Sequence, residues 1–211
     1  TNGYFIVPLT EGGVPLRVPV DTKASVNNEN INVKLQYDPT ERISTFVRGG
    51  YFNGHRINGK FDETNDTPWK YLSGSFRMRM ADSSDLQASL WGNWERFHST
   101  FLAITSTSGV SRNTSRLTLR QAVPTEDTGG MVQWSKGLGS KNFFTVGVDW
   151  RWVDGDSNED VMNATNPLVV QTDRISGGTQ MSEGIFIQDL FSVTPKFQLT
   201  MSARLDHWRN Y

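Results

Sequence analysis

The amino-acid sequence predicts an all-β fold: an antiparallel up-and-down sheet forming a transmembrane β-barrel segment of about nine strands, with short periplasmic turns and long extracellular loops. Three observations carry this reading. Apolar and polar residues alternate with period two in window after window. Tight polar turns and long polar stretches take turns along the chain, so an up-and-down sheet would gather every tight turn at one end. Aromatic residues fall toward both ends of the alternating windows, around an aliphatic middle, as two interfacial girdles would.

The windows follow in order. Ile31, Val33, Leu35 and Tyr37 alternate with Asn32, Lys34 and Gln36. A weaker alternation runs through Ile43, Thr45, Val47, Gly49 and Tyr51 after the turn Asp38-Pro39-Thr40-Glu41. Leu72, Gly74, Phe76, Met78 and Met80 form the next set, then the turn at Asp82-Ser83-Ser84-Asp85, then Leu86, Ala88, Leu90, Gly92 and Trp94. After Gly139-Ser140-Lys141-Asn142 come Phe144, Val146, Val148, Trp150 and Trp152. The last set is Phe197, Leu199, Met201, Ala203 and Leu205, beyond the turn at Thr194-Pro195-Lys196. Between these hairpins lie polar stretches at roughly 54–68, 104–116 and 153–172, with another at 8–22. Clean alternation breaks near 120–135 and 184–193, around Pro124, Gly129-Gly130 and Asp189, where bulges are expected. No window keeps a helical stripe for three turns.

Composition excludes several classes. The 211 residues carry 21 Lys plus Arg against 22 Asp plus Glu, a net charge of -1, which argues against a nucleic-acid partner. Cys is absent, so no disulfide, thiolate metal site or cysteine nucleophile exists. Mean hydropathy is -0.48 and no stretch approaches the roughly 18–20 apolar residues of a spanning helix. Thr1-Asn2-Gly3-Tyr4 carries no basic leader, so a mature protein or an excised segment is expected.

Several local strings add a family resemblance. They are Asn58-Gly59, Thr64-Asn65-Asp66-Thr67, Gln121-Ala122-Val123-Pro124 and Gly177-Gly178-Thr179-Gln180, then Gly184-Ile185-Phe186-Ile187-Gln188-Asp189 and Ala203-Arg204-Leu205-Asp206-His207-Trp208. The last two, joined by the turn at Pro195, resemble the "FxQD" strand and "LxxxxRxD" strand of TonB-dependent outer-membrane receptors. The ordered set resembles that family over residues 21 to 211. The resemblance implies a barrel of about 22 strands filled by an N-terminal plug. It implies uptake of a scarce ligand (siderophore, vitamin or oligosaccharide) at the bacterial outer membrane, driven by TonB.

At about 24 residues per strand and connection the chain holds some nine strands, too few for that barrel. Residues 1–211 are therefore expected to be a partial receptor barrel without a recognisable plug or TonB-contacting segment. The expected partners are outer-membrane lipid, the plug and remaining strands of the parent protein, TonB through the missing part, and a small extracellular ligand. An open sheet leaves unpaired backbone groups along two edges, so the chain alone is not expected to insert as a pore. Tyr211 is an aromatic terminus of the kind complete barrels often have, which keeps a small complete outer-membrane barrel as an alternative. A soluble β-sandwich that binds carbohydrate through exposed Trp residues is the other.

Candidate chemistry is sparse. Asp154-Gly155-Asp156-Ser157-Asn158-Glu159-Asp160 opens like a calcium loop but has Glu159 where the sixth position needs Gly, and Thr165 where the twelfth needs Glu, so a solvated acidic loop is expected. His55, His98 and His207 have no shared metal spacing. Glu95 with Asp149 would be the pair for a sandwich hydrolase. No G-x-S-x-G setting occurs. The expectation is no enzyme, no cofactor and no metal. Lys34, Arg48, Arg77, Arg79, Glu95, Asp149, Arg151, Arg204 and Asp206 share the polar register and would line a lumen. Ligand recognition is expected in the long loops, with Phe61, Trp69 and Arg112 available for contact. Asn65, Asn113 and Asn163 head glycosylation-type triplets that carry no meaning in a bacterial protein.

Overall fold

The computed structural model describes residues 3–107 and 110–211. Thr1, Asn2, Ser108 and Gly109, the last two inside the expected 104–116 loop, lie outside the described residues. Three two-residue strands come first: β1 (Tyr4–Phe5), β2 (Thr10–Glu11) and β3 (Val14–Pro15). Eight long strands follow: β4 (Lys23–Thr40), β5 (Ile43–Ile57), β6 (Thr64–Arg79), β7 (Asp85–Thr107), β8 (Val110–Leu138), β9 (Asn142–Met162), β10 (Val170–Thr194) and β11 (Phe197–Asn210). They form one antiparallel sheet in the order β1-β4-β5-β6-β7-β8-β9-β10-β11, with β2 and β3 as a separate small hairpin. Each long strand pairs with its sequence neighbours, as an up-and-down wall requires. The sheet is open: on its outer side β4 pairs with β1 only at Lys23 and Ala24, and β11 ends the order.

The tight turns sit at one end, as expected. Glu41-Arg42 joins β4 to β5 and Pro195-Lys196 joins β10 to β11, while residues 139–141 carry Gly139 at φ 67. The turn at 80–84 is built around Asp82, whose Oδ1 accepts from the backbone N (3.1 Å) and Oγ (2.6 Å) of Ser84. Lys136 Nζ donates to its other oxygen at 2.7 Å. These donors, Lys136 foremost, hold the Asp82 carboxyl well below the ordinary carboxylate range.

The opposite end differs from the sequence expectation. The polar stretches at 54–68, 104–116 and 153–172 are mostly paired strand; the connections are only 58–63 and 163–169, and β7 pairs with β8 out to Thr107 and Val110. Strands run from 14 to 29 residues rather than about 9–11. The reason is physical: ladder bonds use only the backbone, so a strand continues where both faces meet water. Period two appears only where one face does not. The expected bulge near 120–135 lies instead at Leu117–Leu119, opposite Phe101 and Leu102. The one near 184–193 falls at Ser192–Thr194. Pro68 and Pro124 keep pairing on one side each, with gaps toward β7 and β9 respectively, since neither offers an N–H.

Among the described residues Met162 is the one buried apolar side chain that would count as core. Leu35, Val47, Leu90, Val148 and Leu205 are half exposed or more. Accessible surface is 14073 Å², against about 9,900 Å² for a folded monomer of 23.8 kDa. A soluble sandwich buries its apolar faces between two sheets. Here a single large sheet leaves them open, which overturns the carbohydrate-binding sandwich. The unclosed sheet likewise departs from a small complete barrel.

Register joins the apolar faces into one band. Leu35 lies opposite Val47, Val47 opposite Gly74, and Gly74 opposite Leu90. Farther along, Ala88, Val132, Val148, Ile185 and Leu205 pair in succession. Large side chains lean over small ones: a Cβ on Gly130 would meet Leu90 Cδ2 at 2.6 Å and Trp150 Nε1 at 3.0 Å. Val148 is the middle of the five outward apolar-band positions of β9, 144 to 152. Val148→Arg is expected to cost about 2–4 kcal/mol of stability in a bilayer. Heat-modifiable migration of the parent protein refolded in lipid would measure it; unchanged folding would contradict an outward Val148.

Candidate functional site

The other face of the sheet carries the charges. In successive strands one cross-strand row holds Lys34, Arg48, Ser73, Trp91, Gly129, Arg151 and Ser182. The next holds Ser75, Ser89, Met131, Asp149, Gly184 and Asp206. The residues expected to share a polar wall therefore do share one face.

Their ionic chemistry is largely closed on itself. Arg204 donates from Nη1 and Nη2 to the two oxygens of Asp149, at 2.7 and 2.9 Å, in a bidentate pair. It also donates from Nε to Asp206 at 2.7 Å. Arg151 forks onto Asp127 at 2.9 and 3.0 Å, and Asn93 donates to the same carboxylate. Arg77 donates to Asp85 at 3.2 Å. Arg48 donates to the Tyr71 hydroxyl at 3.1 Å, and that hydroxyl donates to Asn32. These groups are partly solvated, so each pair contributes modestly to stability and more to fixing side-chain positions.

Glycine makes the arrangement possible. Asp149 and Asp206 lie on either side of Gly184 in register, so Arg204 reaches across β10 only because position 184 has no side chain. A Cβ there would meet Arg204 Cζ at 2.8 Å. Aromatic rings lie over glycines in the same way. Tyr71 covers Gly50, Trp91 covers Gly129 and Phe186 covers Gly147, each pair directly cross-strand on the polar face. Two of these rings carry a cation, Arg48 at 5.4 Å from Tyr71 and Arg204 at 6.0 Å from Phe186. No local sequence pattern marks these pairs, because each joins residues on different strands.

A wall with one lipid-suited face and one ionised face matches known proteins. Residues 16–211 match the family described as TonB dependent receptor-like, beta-barrel. The chain belongs to this family. Members are β-barrels of the bacterial outer membrane and act as transport receptors rather than enzymes. Among solved structures, the ferripyoverdine receptor of the Pseudomonas aeruginosa outer membrane bound to ferripyoverdine is similar at a TM-score of 0.74 and 12% identity, covering 89% of this chain and 31% of that one. The copper transporter OprC is similar at 0.73 and 13%, covering 89% and 29%. The ferric enterobactin receptor of Pseudomonas aeruginosa is similar at 0.59 and 16%, covering 88% and 29%. The chain thus spans about three tenths of these receptors, and at such identities the likeness concerns the fold. No curated protein sequence matches the chain.

In this TonB-dependent receptor barrel the two motif strands have a visible role. Phe186 of the first and Arg204 of the second stack, Arg204 binds Asp149, and Asp189 accepts from Asn142 Nδ2 at 2.5 Å. The motif residues thus tie β9, β10 and β11 together. Asp149 is committed to Arg204 and lies on β9, while Glu95 lies on β7 in a different row, opposite Trp69 and Thr125. The two do not form a carboxylate pair, which removes the hydrolase reading.

Other candidates are placed differently from expectation. Residues 154–160 are part of β9, not a loop: Asp154 accepts from Thr179, and Glu159, on the other face, from Gln121 at 3.1 Å and Arg174 at 2.6 Å. His55 Nδ1 donates to an Asp66 carboxylate oxygen at 2.6 Å, and Asp66 is the register partner of both His55 and His98. Two histidines far apart in sequence are thus neighbours of one carboxylate, although among the described residues no three such groups come together as an ion site. His207 faces outward opposite Glu183. Phe61 is exposed on the 58–63 connection, and Trp69 packs on Tyr71 with centroids 5.2 Å apart.

Arg112 is not free for ligand. Its Nη2 donates to Asp21 at 2.8 Å and its Nη1 to the Leu16 carbonyl at 3.3 Å, from a backbone at φ 54. The Asp21 side chain is 1% exposed, caps Val18 N at 3.0 Å, and has Lys60 Nζ at 3.9 Å. Asp21 also bridges Lys60 through the backbone, and Thr22 N donates to Gly59 O at 2.9 Å. One buried carboxylate therefore clasps residues 16–22, the β5–β6 connection and β8.

Neutralising the buried carboxylate removes the charge that holds Arg112 and Lys60 together. Asp21→Asn is expected to raise hydrogen exchange by roughly tenfold or more at 16–22 and 58–63 while leaving the tight turns unchanged. Uniform exchange in both proteins would contradict the clasp. Gly147→Val is expected to displace Phe186 and destabilise the parent barrel by about 1–3 kcal/mol, measured by denaturant unfolding in detergent.

Proposed function

We propose that these residues are a section of barrel wall in a receptor that takes up a scarce ligand, a siderophore, vitamin or oligosaccharide, across the outer membrane. The single observation behind this is the division of one sheet into an unpartnered apolar face and a salt-bridged polar face over eight long strands. Eight of about 22 strands is a part of such a barrel. In this reading the remaining strands pair with the open edges of β4 and β11, and a plug packs on the polar face. Energy comes from TonB, through parts of the parent protein beyond these residues.

The section acts as a passive, stiff wall. Its Arg–carboxylate pairs keep the polar face fixed while a plug rearranges against it, and solvated polar tips above the membrane present the ligand-contacting residues. Similar folds serve different cargo: one similar structure holds ferripyoverdine and another is named a copper transporter. Cargo choice is accordingly assigned to the tips of the long strands and the connections 58–63 and 163–169, not to the band within the membrane.

Deleting the parent gene tests the reading. Uptake of an iron–siderophore, of cobalamin and of an oligosaccharide would be compared in the parent, deletion and TonB-deficient strains. Loss of one of the three in both mutants is the expected result. Undiminished uptake of every ligand class on deletion would overturn it.

A further inference from the structure

Two cations of the outward face, Lys70 and Arg96, stand at the edge of the apolar band on adjacent strands. On β6 the outward positions from the turn upward are Met78, Phe76, Gly74 and Leu72, and the next is Lys70. On β7 they are Leu86, Ala88, Leu90, Gly92 and Trp94, and the next is Arg96. At about 3.3 Å per residue these apolar runs cover most of a tilted strand's path through hydrocarbon. Lys70 and Arg96 therefore stand one step beyond the apolar band, at the level of the Trp94 ring that marks the interface.

Both side chains are exposed, and among the described residues neither makes an ion pair. That contrasts with Arg77, Arg151 and Arg204 on the opposite face, each held by a carboxylate. The surface beneath them is also shaped. Arg96 is the register partner of Pro124 on one side, and on the other it faces Pro68 where the β6–β7 ladder is interrupted. A cleft of about 350 Å³ opens there, lined by the cations Lys70 and Arg96, the carboxylates Glu95 and Glu126, and Trp94 with Pro68 and Pro124.

We propose that this cleft binds the phosphate of a membrane-lipid headgroup. Lys70 supplies a point charge and Arg96 a planar fork, the two cations from adjacent strands converging at headgroup depth. Trp94 lies beside the upper acyl chain, with its apolar body toward hydrocarbon. Glu126, across Trp94 from Lys70, faces the same cleft and suits a hydroxyl or ammonium group next to the phosphate. A free anion lacks both the acyl contact and this second group, so the site favours lipid over inorganic phosphate. The inference rests on the barrel reading, because only there does this face meet lipid.

The test uses the full-length parent receptor, extracted in mild detergent and examined by native mass spectrometry with added phospholipid. The wild type is expected to retain a phosphate-bearing lipid through steps that strip non-specific lipid. Lys70→Gln with Arg96→Gln is expected to lose it by roughly tenfold or more. Lys70→Arg with Arg96→Lys, which keeps both charges, is expected to retain it. Equal retention by the Gln variant overturns the proposal, as does displacement of the lipid by millimolar inorganic phosphate, which would make the cleft a simple anion site. Heat-modifiable migration of every variant separates the two levels: folded barrels with unaltered lipid binding sink this site alone, whereas a wild type that forms no barrel sinks the membrane reading with it.

Discussion

Hydrocarbon offers a peptide group no hydrogen-bond partner, so a chain that crosses a bilayer as strands must satisfy its backbone through neighbouring strands. The architecture follows from that constraint. Each long strand is bonded to its sequence neighbour in an unbroken antiparallel order from β4 to β11. Irregularities sit near the ends, at Tyr37–Thr40, Phe101–Leu102, Val170–Thr172 and Ser192–Thr194, away from the middle of the apolar band. Prolines are tolerated at positions 68 and 124 because they too lie above that band, where water can take the orphaned carbonyls. The same constraint makes the outer edges of β4 and β11 the places where further strands belong.

With the backbone settled, the two faces obey opposite rules. Outward side chains need only be apolar and sized to pack across a twisted sheet, which is why glycines alternate with Leu, Val and Trp. Polar-face side chains must keep hydrogen-bond partners without a packed core, and they do so by pairing with each other. Arg204 reaching over Gly184 to Asp149 is the clearest case, since it links three strands with one guanidinium and needs a glycine in between. Rings laid over Gly50, Gly129 and Gly147 do for the sheet what a second layer does for a soluble protein: they shield bare backbone on a face that lacks a core.

How much of this was legible in the sequence depends on where one face of the sheet is apolar and the other polar. Ile31 to Tyr37 and Phe144 to Trp152 announce strands because one face is apolar and the other is not. Residues 154–160 and 114–116 are paired strand as well but carry polar side chains on both faces, so they read as loop. The strand through 120–135 was hidden by Pro124 and by Gly129-Gly130, although those glycines turn out to be sites of close ring contact. Long-range partners left no local signal: Asp21 with Arg112, or His55 and His98 on either side of Asp66, are brought together only by register. The motif strands were legible as a resemblance, while the reason for them, the Phe186–Arg204–Asp149 arrangement, required the third strand.

The central claim is that one face of this sheet meets lipid and the other water. Single-cysteine scanning along β9 tests it most directly, and these 211 residues contain no Cys to remove first. Fluorophores would be placed in turn from Phe144 to Trp152 in the parent receptor, reconstituted in vesicles. Quenching by nitroxide-labelled lipid is expected at 144, 146, 148 and 150, and by an aqueous quencher at 145, 147, 149 and 151, the two patterns out of phase. Lipid quenching at neither set, or equal quenching at both, would contradict a membrane-spanning wall.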